Sequence, residues 1–175
     1  MGNIYGRDSR NIEVKYEMKE KMFFIKTILI CSFIVFIAYM LMNVQPDSPI
    51  DISEVESRID SEGDLGTMKK TDTMMIKRVF GLNSAEFEGS VYYKGEGAMD
   101  VTELLIIKLK SDNQSEFVKA AIRERLDSQI QNFTNYGTNQ LQLLESSEIQ
   151  VIGNYCFYAV SENAVQLKEI FVNSI

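Results

Sequence analysis

TILICSFIVFIAYMLMNV, residues 27–44, decides how everything on either side of it is read. Its eighteen residues hold no ionisable side chain apart from Cys31 and Tyr39, both neutral at pH 7. MFFI at 22–25 extends the run upstream of Lys26. As a helix over 22–44 it would be about 34 Å long at ~1.5 Å per residue, enough to cross a hydrocarbon core of ~30 Å with slight tilt. Ten of the eighteen residues are Ile, Leu, Phe or Val. Each favours insertion by roughly 0.3–0.6 kcal/mol at mid-helix, so together they contribute on the order of 4 kcal/mol. Lys26 can snorkel its ammonium to the headgroups, and Tyr39 and Asn43 lie toward the other interface. A buried helix of a soluble core seldom runs this long without a polar face.

Two other fates for the run fit less well. A cleaved signal peptide has an apolar region of ~7–15 residues before a small-x-small site, and AYMLMNVQP offers no such site. Cys31 sits inside the run behind Ile30, not behind a small residue, and MGNIYG lacks the hydroxyl residue that myristoylation wants at its sixth position. An uncleaved anchor is expected. Residues 1–26 carry Arg7, Arg10, Lys15, Lys19, Lys21 and Lys26, whereas residues 45–64 carry seven acids against Arg58 alone. That bias predicts a single-pass type II protein, with the N-terminus cytoplasmic and the bulk extracytoplasmic. The expected division is a cytoplasmic tail (1–21), a transmembrane helix (22–44), a linker (45–50) and an extracytoplasmic domain (51–175). In the tail, the alternation over 12–19 has no second strand to pair with. A short tail is expected there, not a strand or an extension of the membrane helix.

The chain has 175 residues and a net charge of −7. About 130 residues remain for one domain with a modest core. Beyond residue 26 there are 12 basic and 21 acidic side chains, a balance that argues against nucleic acid as a partner. The two cysteines, Cys31 and Cys156, cannot plausibly pair, and a disulfide-free outer domain fits a bacterial surface. There is no histidine. Ser-His and Cys-His nucleophile pairs and His-ligated metals are therefore excluded, and no cofactor or metal is expected.

Downstream, Pro46 and Pro49 make a stiff exit from the run. Asp51 is placed to cap a helix with Ile52, Val55 and Ile59 at helical spacing, broken by Gly63 and Gly66. A second helix is predicted over 72–80, with Gly81 as its left-handed stop. Alternation in FEGSVYYK (87–94) and the run ELLIIKLK (103–110) predict two strands. The connection KGEGAMDVT lacks the strand–Gly-loop–Lys arrangement of a phosphate cradle. Asn113 with Glu116 resembles a capping box opening a long helix over 114–135, whose inner stripe is Val118, Ile122, Leu126, Ile130 and Phe133. Tyr136-Gly137 ends it, and a short helix follows over 139–145. Gly153-Asn154 between two apolar runs is a two-residue hairpin signal. Ser161 can cap a last helix through about 172. The fold class expected is α+β, with the single N-terminal membrane helix followed by a four-stranded, largely antiparallel sheet with helices packed on one face.

RLDSQIQNFTNYGTNQLQLLE, from Arg125, resembles a bacterial family of membrane- or lipid-anchored extracytoplasmic proteins classed as a domain of unknown function. The resemblance rests on several spaced elements over residues 50–175. Glu103 opens a strand, and Arg123, Arg125, Ser128 and Gln129 lie on a helix running to Tyr136-Gly137. Gly153, Asn154 and Tyr155 then form a hairpin. Many members look like lipoproteins, and this chain departs from them in using a membrane helix. The resemblance implies domain limits and location but no activity.

The polar residues singled out are Glu103, Arg123, Arg125, Gln129 and Tyr136 as candidate ligand-binding groups, together with Lys108. Guanidinium offers a bidentate fork to a carboxylate or phosphate. The plainer reading puts Arg123 and Arg125 on the wet side of a helix, with Glu103 paired to one of them. Tyr155 and Tyr158 are read as half-buried sheet residues. Acids are plentiful but sit in linkers or on helix faces, so the expectation is a non-catalytic binding or interaction module of the bacterial cell envelope, integral to the membrane, with an envelope protein as its partner. The alternatives are a signal-sensing domain acting through a membrane partner and an envelope hydrolase using Asp or Glu.

Overall fold

The computed structural model describes residues 5–42, 47–135 and 137–175, which fall into two compact units, Met1–Gln45 and Pro46–Ile175. The first is a single helix, α1 (Tyr5–Met42). Within it Lys21–Tyr39 has a mean hydropathy of 2.3 and none of it is buried, so this window is long and apolar enough to cross a membrane. The helix begins sixteen residues before that window, at Tyr5. The tail expected as separate from the membrane helix is therefore continuous with it, because the mixed charges over 5–20 suit a helix as well as a coil. Asn43 and Val44, read as the far end of the apolar run, lie outside the described residues.

The second unit is a mixed α+β domain. Its elements are α2 (Ile52–Glu62), β1 (Met68–Lys70), α3 (Thr73–Phe80), a single 3-10 turn (Ser84–Glu86), β2 (Gly89–Gly95), β3 (Glu103–Lys108), α4 (Gln114–Phe133), α5 (Thr138–Glu145), β4 (Glu148–Ile152), β5 (Tyr155–Val160) and α6 (Ala164–Ser174). All strand pairs are antiparallel, in the order β1-β2-β3-β5-β4. Local chemistry explains several boundaries. Asp51 accepts a hydrogen bond from the Ser53 amide at 2.9 Å and so starts α2. Asp72 does the same for α3 through the Met75 amide at 3.0 Å. Gly81 stops α3 at φ 70°, where only glycine is free of strain. Gly153 takes φ 51° at the first position of the β4–β5 turn, as a type II′ hairpin requires.

Five expectations need correction. Tyr155 and Tyr158, read as half-buried, are fully buried in β5. The sheet has five strands, because Met68–Lys70 pairs with Tyr93–Gly95. Three residues, MKK, carry no period-2 signal, so only the pairing defines that strand. Helices cover both faces of the sheet, not one. Leu105, Ile107, Cys156 and Tyr158 meet α3, α4 and α5, while Leu104, Ile106, Phe157 and Ala159 meet α2 and α6. All six residues of β3 and all six of β5 are buried, so each strand is a continuous inner run instead of an alternating half-wet one. Asn113 makes no capping hydrogen bond, and its side chain accepts from the Ser111 hydroxyl while Glu116 pairs with Lys119. Finally, α4 ends at Phe133, two residues early, with the Thr134 hydroxyl hydrogen-bonded back to the Ile130 carbonyl at 2.7 Å.

A sheet filled from both sides makes a specific demand on β3. Leu104→Ala and Leu105→Ala, which remove adjacent side chains on opposite faces, should each lower unfolding free energy by about 2–5 kcal/mol in denaturant titrations. A cost at Leu105 alone would restore the one-sided sheet.

Candidate functional site

β3 opens with a carboxylate where the strand is otherwise Leu, Leu, Ile, Ile and Lys. Glu103 is only 1% exposed, a position that an unpaired charge cannot occupy. Strand pairing supplies its partners. Tyr92 on β2 and Tyr158 on β5 both lie directly across from Leu105, one on each side, and so share the Glu103 face of the sheet. The Tyr92 hydroxyl donates to Glu103 Oε2 at 2.7 Å and the Tyr158 hydroxyl to Oε1 at 2.9 Å. From above, α4 lowers Arg125, whose Nε donates to Oε1 and Nη2 to Oε2, each at 3.3 Å. Phe80, at the end of α3, meets both tyrosine rings edge-on, with centroids 5.2 Å and 6.1 Å away.

A carboxylate has about four lone-pair positions, and here four donors occupy them. Glu103 therefore has little capacity left to act as a general base toward a substrate. The tyrosines are equally committed. Burial, then the neighbouring Glu103 charge, pushes both the Tyr92 and the Tyr158 hydroxyl well above the ordinary tyrosine range. They are fixed as neutral donors. Cys156, on the same face, is pushed up to about 12 by burial and is inert as a thiolate.

Arg125 faces both ways. Its side chain is 21% exposed and lines a groove of about 280 Å³ between α3 and α4, together with Val79, Phe80, Gly81, Ala121, Glu124 and Ser128. Of the residues picked out from sequence, Glu103 and Arg125 are thus brought together. Gln129 is buried one turn further along α4 and Arg123 is exposed on that helix, so of the two arginines Arg125 is the one paired to Glu103, as the plainer reading had it. Tyr136 lies outside the described residues. Lys108 is at the far end of β3 on the opposite sheet face, 2.6 Å from Glu88 and stacked over the Tyr155 ring at 5.8 Å.

Sequence reasoning misses Tyr92, Tyr158 and Phe80 as members of this cluster. A signal for the tyrosines exists: a Glu inside a buried apolar strand needs donors, and a buried Tyr needs an acceptor, so matching the two pairs them. Near the start of the domain a second polar contact forms. Asn154 accepts from the Ser48 amide at 3.0 Å and donates to the Ser48 carbonyl at 3.4 Å, and the Tyr155 hydroxyl donates to the Ile50 carbonyl at 2.8 Å.

Fold and cluster together define a two-part protein: an apolar N-terminal helix followed by an antiparallel α+β domain pinned by a buried Glu–Tyr–Tyr–Arg cluster. The chain belongs to the family described as Domain of unknown function (DUF4358), whose model matches residues 61–161. That stretch runs from the end of α2 past β5 and contains all four cluster residues. No curated protein and no solved structure matches the chain.

The hydroxyl shifts predict the alkaline behaviour. A tyrosine whose folded pKa is raised stabilises the fold below its unfolded value of ~10, and that contribution is lost as pH rises further. Tyr93 and Tyr155 are shifted upward as well, again mainly by burial. In a spectrophotometric titration these four of the eight tyrosines should ionise only with unfolding, above pH ~10. Reversible ionisation of all eight in the folded protein would contradict the cluster.

Proposed function

We propose that the protein is a single-pass type II membrane protein whose domain is a non-catalytic binding or interaction module on the extracytoplasmic side of a bacterial cell envelope. The observation that carries this reading is the full occupancy of Glu103. A carboxylate held by four donors serves architecture, and Arg125 beside it also lines a surface groove, which suits recognition and not proton transfer. Membrane attachment draws on the apolar window Lys21–Tyr39. Orientation draws on the six basic residues before residue 27 and the acidic stretch beyond the apolar run. The bacterial and envelope setting rests on the family resemblance carried by residues 50–175 and on the absence of a disulfide between Cys31 and Cys156.

A second reading, a sensor that passes an outside signal to a membrane partner, draws on the continuity of α1. One unbroken helix joins residues 5–20 to the apolar window, the kind of rigid element that can carry a displacement.

Two measurements test the module. Protease added to intact cells should remove the domain and leave an α1-bearing stub in the membrane fraction. Affinity capture of the full chain from gently solubilised membranes should return a partner in fixed stoichiometry. A domain that is protected while the N-terminus is cut would reverse the orientation. A chain that is always recovered alone would remove the interaction role.

A further inference from the structure

The groove between α3 and α4 has a charge pattern that narrows what it can hold. Arg125 has five N–H bonds, and Glu103 takes one from Nε and one from Nη2. Three remain, including the end-on pair formed by Nη1 and the second hydrogen of Nη2, which is the fork that grips a carboxylate. The positive charge behind that fork is already offset by buried Glu103. Glu124 lines the same groove, and among the described residues no ion pair to it is seen. The groove is closed at Gly81 by the C-terminal end of α3, the partially negative end of a helix. Lys77 and Arg78 of that last turn are exposed and do not line the groove.

An anion alone meets one fork and a net negative surround. A dianionic phosphate is disfavoured most. A ligand that carries an ammonium beside its carboxylate satisfies both ends. Val79, Phe80 and Ala121 give the groove an apolar side, and Ser128 adds a hydroxyl to the lining. At about 280 Å³ the groove lies just below the usual range of ligand sites, roughly 300–1,000 Å³, a size that suits one amino acid and not a nucleotide or oligosaccharide.

We propose that this groove binds a free aliphatic α-amino acid, with its carboxylate on the unoccupied fork of Arg125, its ammonium on Glu124 and its side chain against Val79, Phe80 and Ala121. The assignment rests on the reading of the domain as a binding module and gives that module a ligand class. Ser128, also on the lining, is placed to add a hydroxyl contact.

The test uses the full chain in lipid nanodiscs and calorimetric titration with alanine, valine and leucine. N-acetylleucine (carboxylate only), leucinamide (ammonium only) and inorganic phosphate serve as the discriminating arms. At least one of the three amino acids should bind, and its acetyl and amide analogues should each bind about tenfold weaker or less, as expected for loss of a charge-assisted contact. Glu124→Gln, a surface change that leaves the fold intact, should weaken the amino acid by a similar factor and leave the N-acetyl compound unchanged. Arg125→Lys keeps the charge against Glu103 but loses the fork, and should weaken amino acid and N-acetyl compound alike. Three outcomes overturn the proposal: no binding by any of the three amino acids, equal binding of the free and blocked forms, or preferential binding of phosphate. Failure of these titrations alongside a stoichiometric partner from membranes removes the ligand and leaves the interaction module standing. Failure of both removes the module reading itself.

Discussion

One carboxylate sets the terms for the domain. Glu103 is buried on the central strand of a five-stranded sheet, where an ion loses several kcal/mol of hydration. The chain offsets that loss with donors from three other elements: Tyr92 from β2, Tyr158 from β5 and Arg125 from α4. Each donor must come from the right register, because a slip of one residue in either strand turns its tyrosine to the other face. The cluster therefore specifies more than it stabilises. The bidentate Arg125 fork on Glu103 fixes the position of α4 over the sheet through directed contacts that apolar packing lacks. Phe80 extends the constraint to α3 by its edge contacts with both tyrosine rings. Phe80 and Arg125, which line the groove between α3 and α4, both touch this cluster.

The opposite face follows different rules. There α2 and α6 pack on Leu104, Ile106, Phe157 and Ala159, with a buried cation, Lys108, at the far end of β3 and paired to Glu88, and Phe171 stacks on Phe157 at 4.9 Å. Polar contacts on that side are peripheral. Tyr93 donates to Asp60 at 2.6 Å, and Asn154 and Tyr155 hold the backbone of Ser48 and Ile50. The first described residues of the domain are thereby fastened to the β4–β5 turn.

Much of this organisation can be read from the chain. The apolar run, the cap at Asp51, the stop at Gly81 and the turn at Gly153-Asn154 are local signals, each with one dominant physical cause, and they appear where the residues place them. What escapes is non-local. β1 is a strand only because Tyr93–Gly95 lies beside it. The second helical layer is implied by the unbroken apolar runs of β3 and β5, yet each run taken singly passes for one-faced alternation. At Asn113 the capping pattern is present, but the preceding turn uses Ser111 instead. In the site, Glu103 and Arg125 are legible as an odd charge in a strand and a cation on a helix. Their tyrosine partners lie 11 and 55 residues from Glu103, and only sheet pairing brings them to it.

Glu103 and Arg125 should therefore act as one unit. A double-mutant cycle measures this directly, with Glu103→Gln, Arg125→Met and the pair compared by denaturant unfolding of the full chain. A coupling of about 1.5–3 kcal/mol is predicted, with the double variant less destabilised than the sum of the singles, since the second change removes the partner that the first left unpaired. Additivity within ~0.5 kcal/mol would show that the two groups merely lie close together, and that the buried carboxylate does not organise the domain.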